Sequence, residues 1–312
     1  MPVLNLTPKN KPALVLPKKS ATGTGTTGRL TLPVSAASKY RLPTAPTEPV
    51  DDLGFYSWLI YGAKKIGKTS IAAQFPGSLF FMFEPGAKAL RLNRLDIGTW
   101  GDALGYLTEL EKAKKAGTLR FKTVVIDTGF ECYESCKNYV CDKLGVDYPS
   151  ETNFGKDWSK IKTEFRSFFN RLSALRLGLV VLCHEGFKEQ QDFKGNKYDQ
   201  VVPLLSSAAN DFFRAIIDNV VWYHFRRSER FLLIKGNDHA MSGVALQADR
   251  FFKSRKGEPI FAVPLGESPV EGYKNILNAF ANKQELTYKD EVEAEAARAI
   301  IDSKNEKIRK RK

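Results

Sequence analysis

The sequence predicts an α/β fold with a mainly parallel central sheet and helices on both faces. Two observations carry that expectation. From Gly54 to about Asn282, apolar runs of strand length alternate with longer amphipathic stretches, the pattern that crossover connections impose on parallel strands. Within that region, residues 62–69 read Gly-Ala-Lys-Lys-Ile-Gly-Lys-Thr, a complete GxxxxGK[ST] loop that needs a strand before it and a helix after it.

Each element follows in chain order. Residues 1–50 hold eight prolines and the low-complexity run TGTGTTG, too little apolar surface to offset the entropy of an ordered chain, so a disordered basic arm is expected there. Strands are expected over Phe55–Tyr61, Leu79–Phe83, Thr123–Asp127, Leu177–His184, Asn219–Phe225 and Arg230–Ile234. Helices are expected over Lys68–Gln74, Trp100–Ala116, Gly129–Lys143, Lys156–Leu175 and Ala208–Ile217. The stretch Tyr288–Lys312 begins as an amphipathic helix and ends in the basic run KIRKRK. The expected organisation is an arm over 1–50, a core over 51–285, and a C-terminal helix and basic tail over 286–312.

Composition narrows the class. A chain of 312 residues that is 43% hydrophobic can build a sizeable core. No apolar run reaches membrane-spanning length and the first residues lack a secretory apolar block, which leads us to expect a cytoplasmic protein with no membrane partner. Cys132, Cys136, Cys141 and Cys183 show no disulfide-like spacing and no CxxC pair, so they read as small apolar residues of a reducing compartment. Net charge is +13, and it is uneven. Residues 1–50 carry seven basic side chains against one Glu, and residues 303–312 carry six against one, so most of the attraction to polyanions sits in the two tails.

Chemistry concentrates in a few positions. Gly62, Ala63, Lys64, Lys65, Ile66, Gly67, Lys68, Thr69 and Ser70 form a phosphate cradle, in which the glycines let backbone N–H groups turn inward and the following helix adds its dipole. Lys68 is expected on the outer phosphates of ATP and Thr69 on Mg²⁺. The run KTVVIDT ends in Asp127, the Walker B arrangement that holds Mg²⁺ opposite Thr69; the residue also suits an N-cap for the helix after it. Glu84 follows SLFFMF and precedes Pro85-Gly86, which places a carboxylate at the same sheet edge, where it can orient and deprotonate water or simply end a strand. His184 closes LGLVVLC and should emerge at that edge as a γ-phosphate sensor or as a satisfied structural group.

The order of these parts resembles RecA-like recombinase cores. More narrowly, YGAKKIGKTS, FEPG, TVVIDT, FGKDW (Phe154 to Trp158) and VVLCHEG resemble phage-encoded, core-only RecA-like P-loop ATPases that act as single-strand annealing proteins, over about residues 54–282. The resemblance implies a RecA-like P-loop NTPase fold, Glu84 as catalytic base and His184 as nucleotide sensor. Two departures stand out: Lys64-Lys65 in the middle of the P-loop, and the proline-rich arm.

After His184, the segment 186–200 interleaves Phe187, Phe193 and Tyr198 with Lys188, Lys194 and Lys197 around Gly195-Asn196. That composition suits a mobile hairpin that stacks bases and neutralises phosphates, or an ordinary exposed hairpin. In RecA-like proteins the corresponding loop contacts single-stranded DNA. Arg226, Arg227 and Arg230 surround a later strand turn and Lys235 ends its second strand; these are candidate cations for a neighbouring subunit's site, Lys235 slightly favoured by the resemblance, or a solvated charge cluster. The expectation is an ATPase that binds single-stranded DNA in phage recombination, annealing or replication, in the host cytoplasm. It would assemble as a ring or filament, with a single-strand binding protein or replisome component as a further partner. A nucleotide-gated scaffold without hydrolysis and a P-loop small-molecule kinase are the alternatives.

Overall fold

The computed structural model describes residues 42–149, 155–191, 195–226, 228–236, 240–244 and 250–284. The chain divides into two units, Met1–Glu48 and Pro49–Lys312. Of the first, residues 42–48 are exposed and form no helix or strand. Residues 1–41 of the expected arm lie outside the described residues, as do Phe154 and the expected C-terminal helix and basic tail.

The second unit is a mixed, mainly parallel sheet. Its strands are β1 (Ser57–Gly62), β2 (Ser78–Met82), β3 (Arg94–Asp96), β4 (Thr123–Asp127), β5 (Gly178–Gln191), β6 (Lys197–Pro203), β7 (Asn219–Arg226), β8 (Glu229–Leu233), β9 (Gly243–Val244) and β10 (Ala262–Pro264). Across the sheet the order is β10-β8-β7-β1-β5-β4-β2-β3. Strands β7, β1, β5, β4, β2 and β3 run parallel, while β8, β9 and β10 pair antiparallel at the β7 end.

Helices cover both faces, as expected. On one side lie α2 (Trp100–Lys115), α3 (Gly129–Leu144), α4 (Lys156–Ala174) and α5 (Ser207–Ile216); on the other lie α1 (Lys68–Ala72) and α6 (Pro269–Phe280). The strands show why both faces need cover. Leu59 and Tyr61 of β1 join the first core while Trp58 and Ile60 join the second, and β5 splits likewise into Leu179, Val181 and Cys183 against Val180 and Leu182. Period-two alternation of wholly apolar side chains is what a doubly covered sheet demands. The first core is strongly aromatic: the Phe165 ring lies 4.9 Å from Phe169, 5.1 Å from Tyr133 and 5.1 Å from Phe212, centroid to centroid. All four cysteines are buried free thiols.

Several boundaries differ from expectation. β1 begins at Ser57, because Leu53–Phe55 forms a 3-10 turn whose Gly54 N–H donates to the Asp52 side chain. Helix α1 ends at Ala72, short of the expected Gln74. β5 does not stop at His184 but continues to Gln191, where pairing with β6 takes over from pairing in the sheet. Strands β3, β9 and β10 and helix α6 were not anticipated. Helix α6 carries a sequence signal all the same, since Ser268 caps it by accepting from Glu271 N and Pro269 opens its first turn. Among the described residues no helix is long and apolar enough to cross a membrane.

Candidate nucleotide-binding site

Sheet register brings the expected residues together. Gly62 of β1 pairs with His184 of β5, and Asp127 of β4 stands between Met82 of β2 and Leu182 of β5. Four parallel strands therefore deliver the P-loop, Glu84, Asp127 and His184 to one carboxyl edge. The chain leaves β1 toward α1 on one face and leaves the β5–β6 segment toward α5 on the other, which opens a crevice at that edge where open α/β sheets take ligands.

The P-loop is shaped by two different constraints. Gly67 has φ 115°, a conformation open to glycine and strained for other residues. Gly62 does not supply a bend, as the sequence suggested. A Cβ there would stand 2.1 Å from the Tyr223 carbonyl oxygen, so this glycine exists to let β7 approach β1. Lys65 is also left-handed, at φ 63°, which fits a loop that curls its N–H groups inward.

Lys68 is buried and donates from Nζ to the Gly62 and Ala63 carbonyls, both at 2.8 Å. An ammonium has three donors, so the third N–H remains for a phosphate oxygen. Burial pulls its pKa down, opposed most strongly by the nearby Asp127 carboxylate. Thr69 donates from Oγ1 to Asp127 Oδ2 at 2.9 Å. Burial pushes the Asp127 carboxyl up, against the lowering effect of that Thr69 hydrogen bond, and Glu84 adds a further upward push. An alcohol and a carboxylate in contact are a hard-oxygen donor pair, which fits Mg²⁺ with phosphate and water completing its shell. Thr69 and Asp127 are the side chains that would hold it.

Glu84 sits just past β2, where the N–H groups of Phe83 and Glu84 reach the Asp127 carbonyl at 2.8 and 3.3 Å. Its Oε2 lies 3.2 Å from His184 Nε2, while His184 Nδ1 is buried without a protein partner. The Trp222 indole donates to Glu185 Oε2 at 2.9 Å, so the residue after His184 is tied to β7 rather than to the nucleotide edge.

The other expected residues are placed less compactly. The segment after His184 is a two-stranded antiparallel ribbon, β5 with β6, which is the hairpin pairing expected there. Phe187 is 73% exposed, while Phe193 and Lys194 lie outside the described residues. Alternation along the register sets Phe187 and Lys197 on one ribbon face and Lys188 and Tyr198 on the other. Lys197 also pairs with Glu189 at 2.9 Å, both largely exposed. Arg226 ends β7 and Arg227 lies outside the described residues. The Lys235 ammonium stands 4.9 Å over the Phe261 ring. Arg230 faces the P-loop of its own chain: it lines one cavity with Lys65, Gly67 and Ser70.

The model of the AAA domain family matches residues 55–249, which span β1 through β9 and hence every group at this edge. The chain belongs to the AAA domain family. As an AAA domain it is a P-loop NTPase of α/β fold, a class that binds nucleotide. Among solved structures, a KaiC-like protein from the hyperthermophilic archaeon Pyrococcus horikoshii is similar at 14% identity, over 70% of this chain and 88% of that one, with a TM-score of 0.39. No curated protein matches the sequence.

Sequence reasoning did not single out Tyr223 or the loop Leu265–Pro269, both beside the P-loop. Tyr223 carries no motif, and its role follows from the pairing of β7 with β1. Gly266 just before the Ser268 helix cap was the available signal for the loop.

Proposed function

We propose that this AAA domain hydrolyses ATP and uses the nucleotide to control its grip on single-stranded DNA. The observation that carries the reading is the convergence at one sheet edge of Lys68, the Thr69–Asp127 pair at 2.9 Å and the Glu84–His184 pair at 3.2 Å. In this reading Lys68 neutralises the outer phosphates, and Glu84 orients the attacking water and takes its proton at Oε2. Mg²⁺, when bound at Thr69 and Asp127, offsets charge on the phosphates. His184 holds Glu84 and registers whether the third phosphate is present. The same β5 strand that carries His184 runs on into the ribbon with exposed Phe187, which favours the ribbon as the surface where bases stack. Assembly into a ring or filament on the strand, with Arg226 or Lys235 reaching a neighbour's site, belongs to the same proposal.

The test is ATP turnover and polymer binding with single-stranded DNA, duplex DNA and RNA at two salt concentrations. Single-stranded DNA should raise turnover most. Lys68→Ala should abolish hydrolysis yet retain most low-salt DNA binding, because counterion release from the basic tails is independent of the pocket. A flat response to all three polymers refutes the DNA assignment, and tight ATP binding without any turnover refutes the hydrolytic one.

A further inference from the structure

Helix α4 turns one face to the core and another to solvent, and the outward face is chemically one-sided. Phe165, Phe168 and Phe169 are buried, and Trp158 packs edge-on against Tyr148. The two acids of the helix are turned away from solvent: Asp157 is buried, and the half-buried Glu164 accepts from Trp100 Nε1 at 3.0 Å. Lys156, Lys160, Lys162 and Arg166 are exposed, accompanied by small or polar side chains and by no exposed carboxylate. Lysines elsewhere have acidic neighbours, Lys112 with Glu109 at 2.7 Å and Lys197 with Glu189 at 2.9 Å. Lys162 and Arg166 form no ion pair among the described residues.

An open groove of about 490 Å³ runs along this face. Its side chains fall in two rows at the i, i+4 spacing that stacks neighbours on a helix: Lys162, Arg166 and Asn170 in one, Ser159, Thr163 and Ser167 in the other. Ser159 and Thr163 donate back to the Gly155 and Ser159 carbonyls at 3.2 and 2.8 Å, so they form a low floor rather than a set of donors. Ser167 and Asn170 make no side-chain hydrogen bond among the described residues and keep their donors for a ligand. Arg171 closes one end, committed to Glu111 and Thr108 of α2 at 2.7 and 3.1 Å. From Ser159 to Arg171 the helix rises about 18 Å, roughly five steps of one DNA strand at about 3.4 Å each.

We propose that the outward face of α4 docks on the phosphate backbone of duplex DNA, with Lys162 and Arg166 on neighbouring phosphates and the Ser167 hydroxyl and Asn170 amide donating to phosphate oxygens beside them. Cations and neutral donors are what a backbone takes when its bases are hidden in a stack. A single strand needs rings to stack on, which the ribbon has in exposed Phe187 and this face lacks. A bilayer needs apolar side chains to bury, and α4 exposes no large one. The groove is therefore a second polymer contact that reads no sequence. It is separate from the ribbon and does not depend on the nucleotide reading of the P-loop.

The experiment follows, by fluorescence anisotropy on the full chain, binding of a labelled duplex of about 20 base pairs and of a single strand of the same length over about 0.1–0.4 M salt. Each phosphate contact contributes about 0.9 to the slope of log affinity against log salt, so Lys162→Ala with Arg166→Ala should reduce the duplex slope by about 1.8 and weaken binding about 60-fold at about 0.1 M salt. Single-strand affinity should fall less than about threefold. Lys114→Ala with Lys115→Ala removes the same charge from exposed lysines of α2 and should leave the duplex slope within about 0.5 of wild type. The α4 variant should keep the wild-type melting curve and DNA-free ATP turnover, since both residues are exposed and α4 covers the sheet face opposite α1. If the alanine pair melts early, Lys162→Gln with Arg166→Gln reads the same slope. An unchanged duplex slope in the folded α4 variant would overturn the inference. So would equal loss in the α2 control, which reduces the effect to net charge, or equal loss for the single strand. Release of phosphatidylserine-containing vesicles or of polyglutamate as strongly as of duplex would assign the face to another partner and overturn it as well.

Discussion

Replacing Gly62 by alanine tests the idea that the nucleotide site depends on a close strand approach. The added Cβ would lie 2.1 Å from the Tyr223 carbonyl oxygen, whereas real Cβ contacts almost never fall below 3.0 Å, so β1 and β7 must part by about 0.9 Å. Neighbouring strands sit about 4.8 Å apart, and a shift of that size stretches the ladder hydrogen bonds on both sides of Gly62. Overpacking of this kind costs about 1–3 kcal/mol. For a unit this large a cost of about 2 kcal/mol lowers the melting temperature by roughly 4–8 °C. The Lys68 ammonium hangs on the Gly62 carbonyl at 2.8 Å, so ATP affinity should fall in the same variant. Differential scanning calorimetry and ATP titration read the two effects. Gly105→Ala is the matched control: it lies on the exposed face of α2 with nothing within 4 Å of its Cβ position, and should raise stability by about 0.5–1 kcal/mol. A Gly62→Ala protein that melts within about 1 °C of wild type and binds ATP normally would refute the reasoning.

Other expectations follow from single contacts. Glu84→Gln should cut ATP turnover by about 10²–10⁴-fold while retaining ATP binding, and parallel loss of binding would argue that Glu84 only supports the strand end. Phe165→Ala should destabilise the protein by about 3–5 kcal/mol in denaturant melts, because the ring packs against four aromatic neighbours within 5.7 Å. Arg171 donates to Glu111 at 2.7 Å and holds that carboxyl below its usual pKa. Its contribution is thus present above the unfolded carboxylate pKa and is lost as pH falls through the depressed folded value. Both groups are about a third exposed, so Arg171→Met should cost under about 1 kcal/mol at neutral pH. The difference from wild type should vanish in acid, and a gap that persists there would refute the assignment to this pair.

Much of the architecture was legible because its strands are apolar on both faces. β4 was read end to end from KTVVIDT, and α2 to α5 within a residue or so at each end, since their buried stripes recur at helical spacing. Short strands such as β3 and β10 have three residues each, too few for a period to show, and they exist through their neighbours. β5 looked finished at His184 because its apolar run ends there. The strand continues because β6 returns alongside it with polar side chains.

Local chemistry by itself determined the P-loop, the Asp127 strand end and the polar groups at Glu84 and His184, because each depends on residue type at a fixed spacing along the chain. Tertiary structure alone decided that Gly62 serves a strand contact, that Arg230 faces its own P-loop, and that Phe187 and Lys197 share one ribbon face while Lys188 and Tyr198 share the other. These depend on which strands pair and in which register, a choice made by packing between segments more than a hundred residues apart.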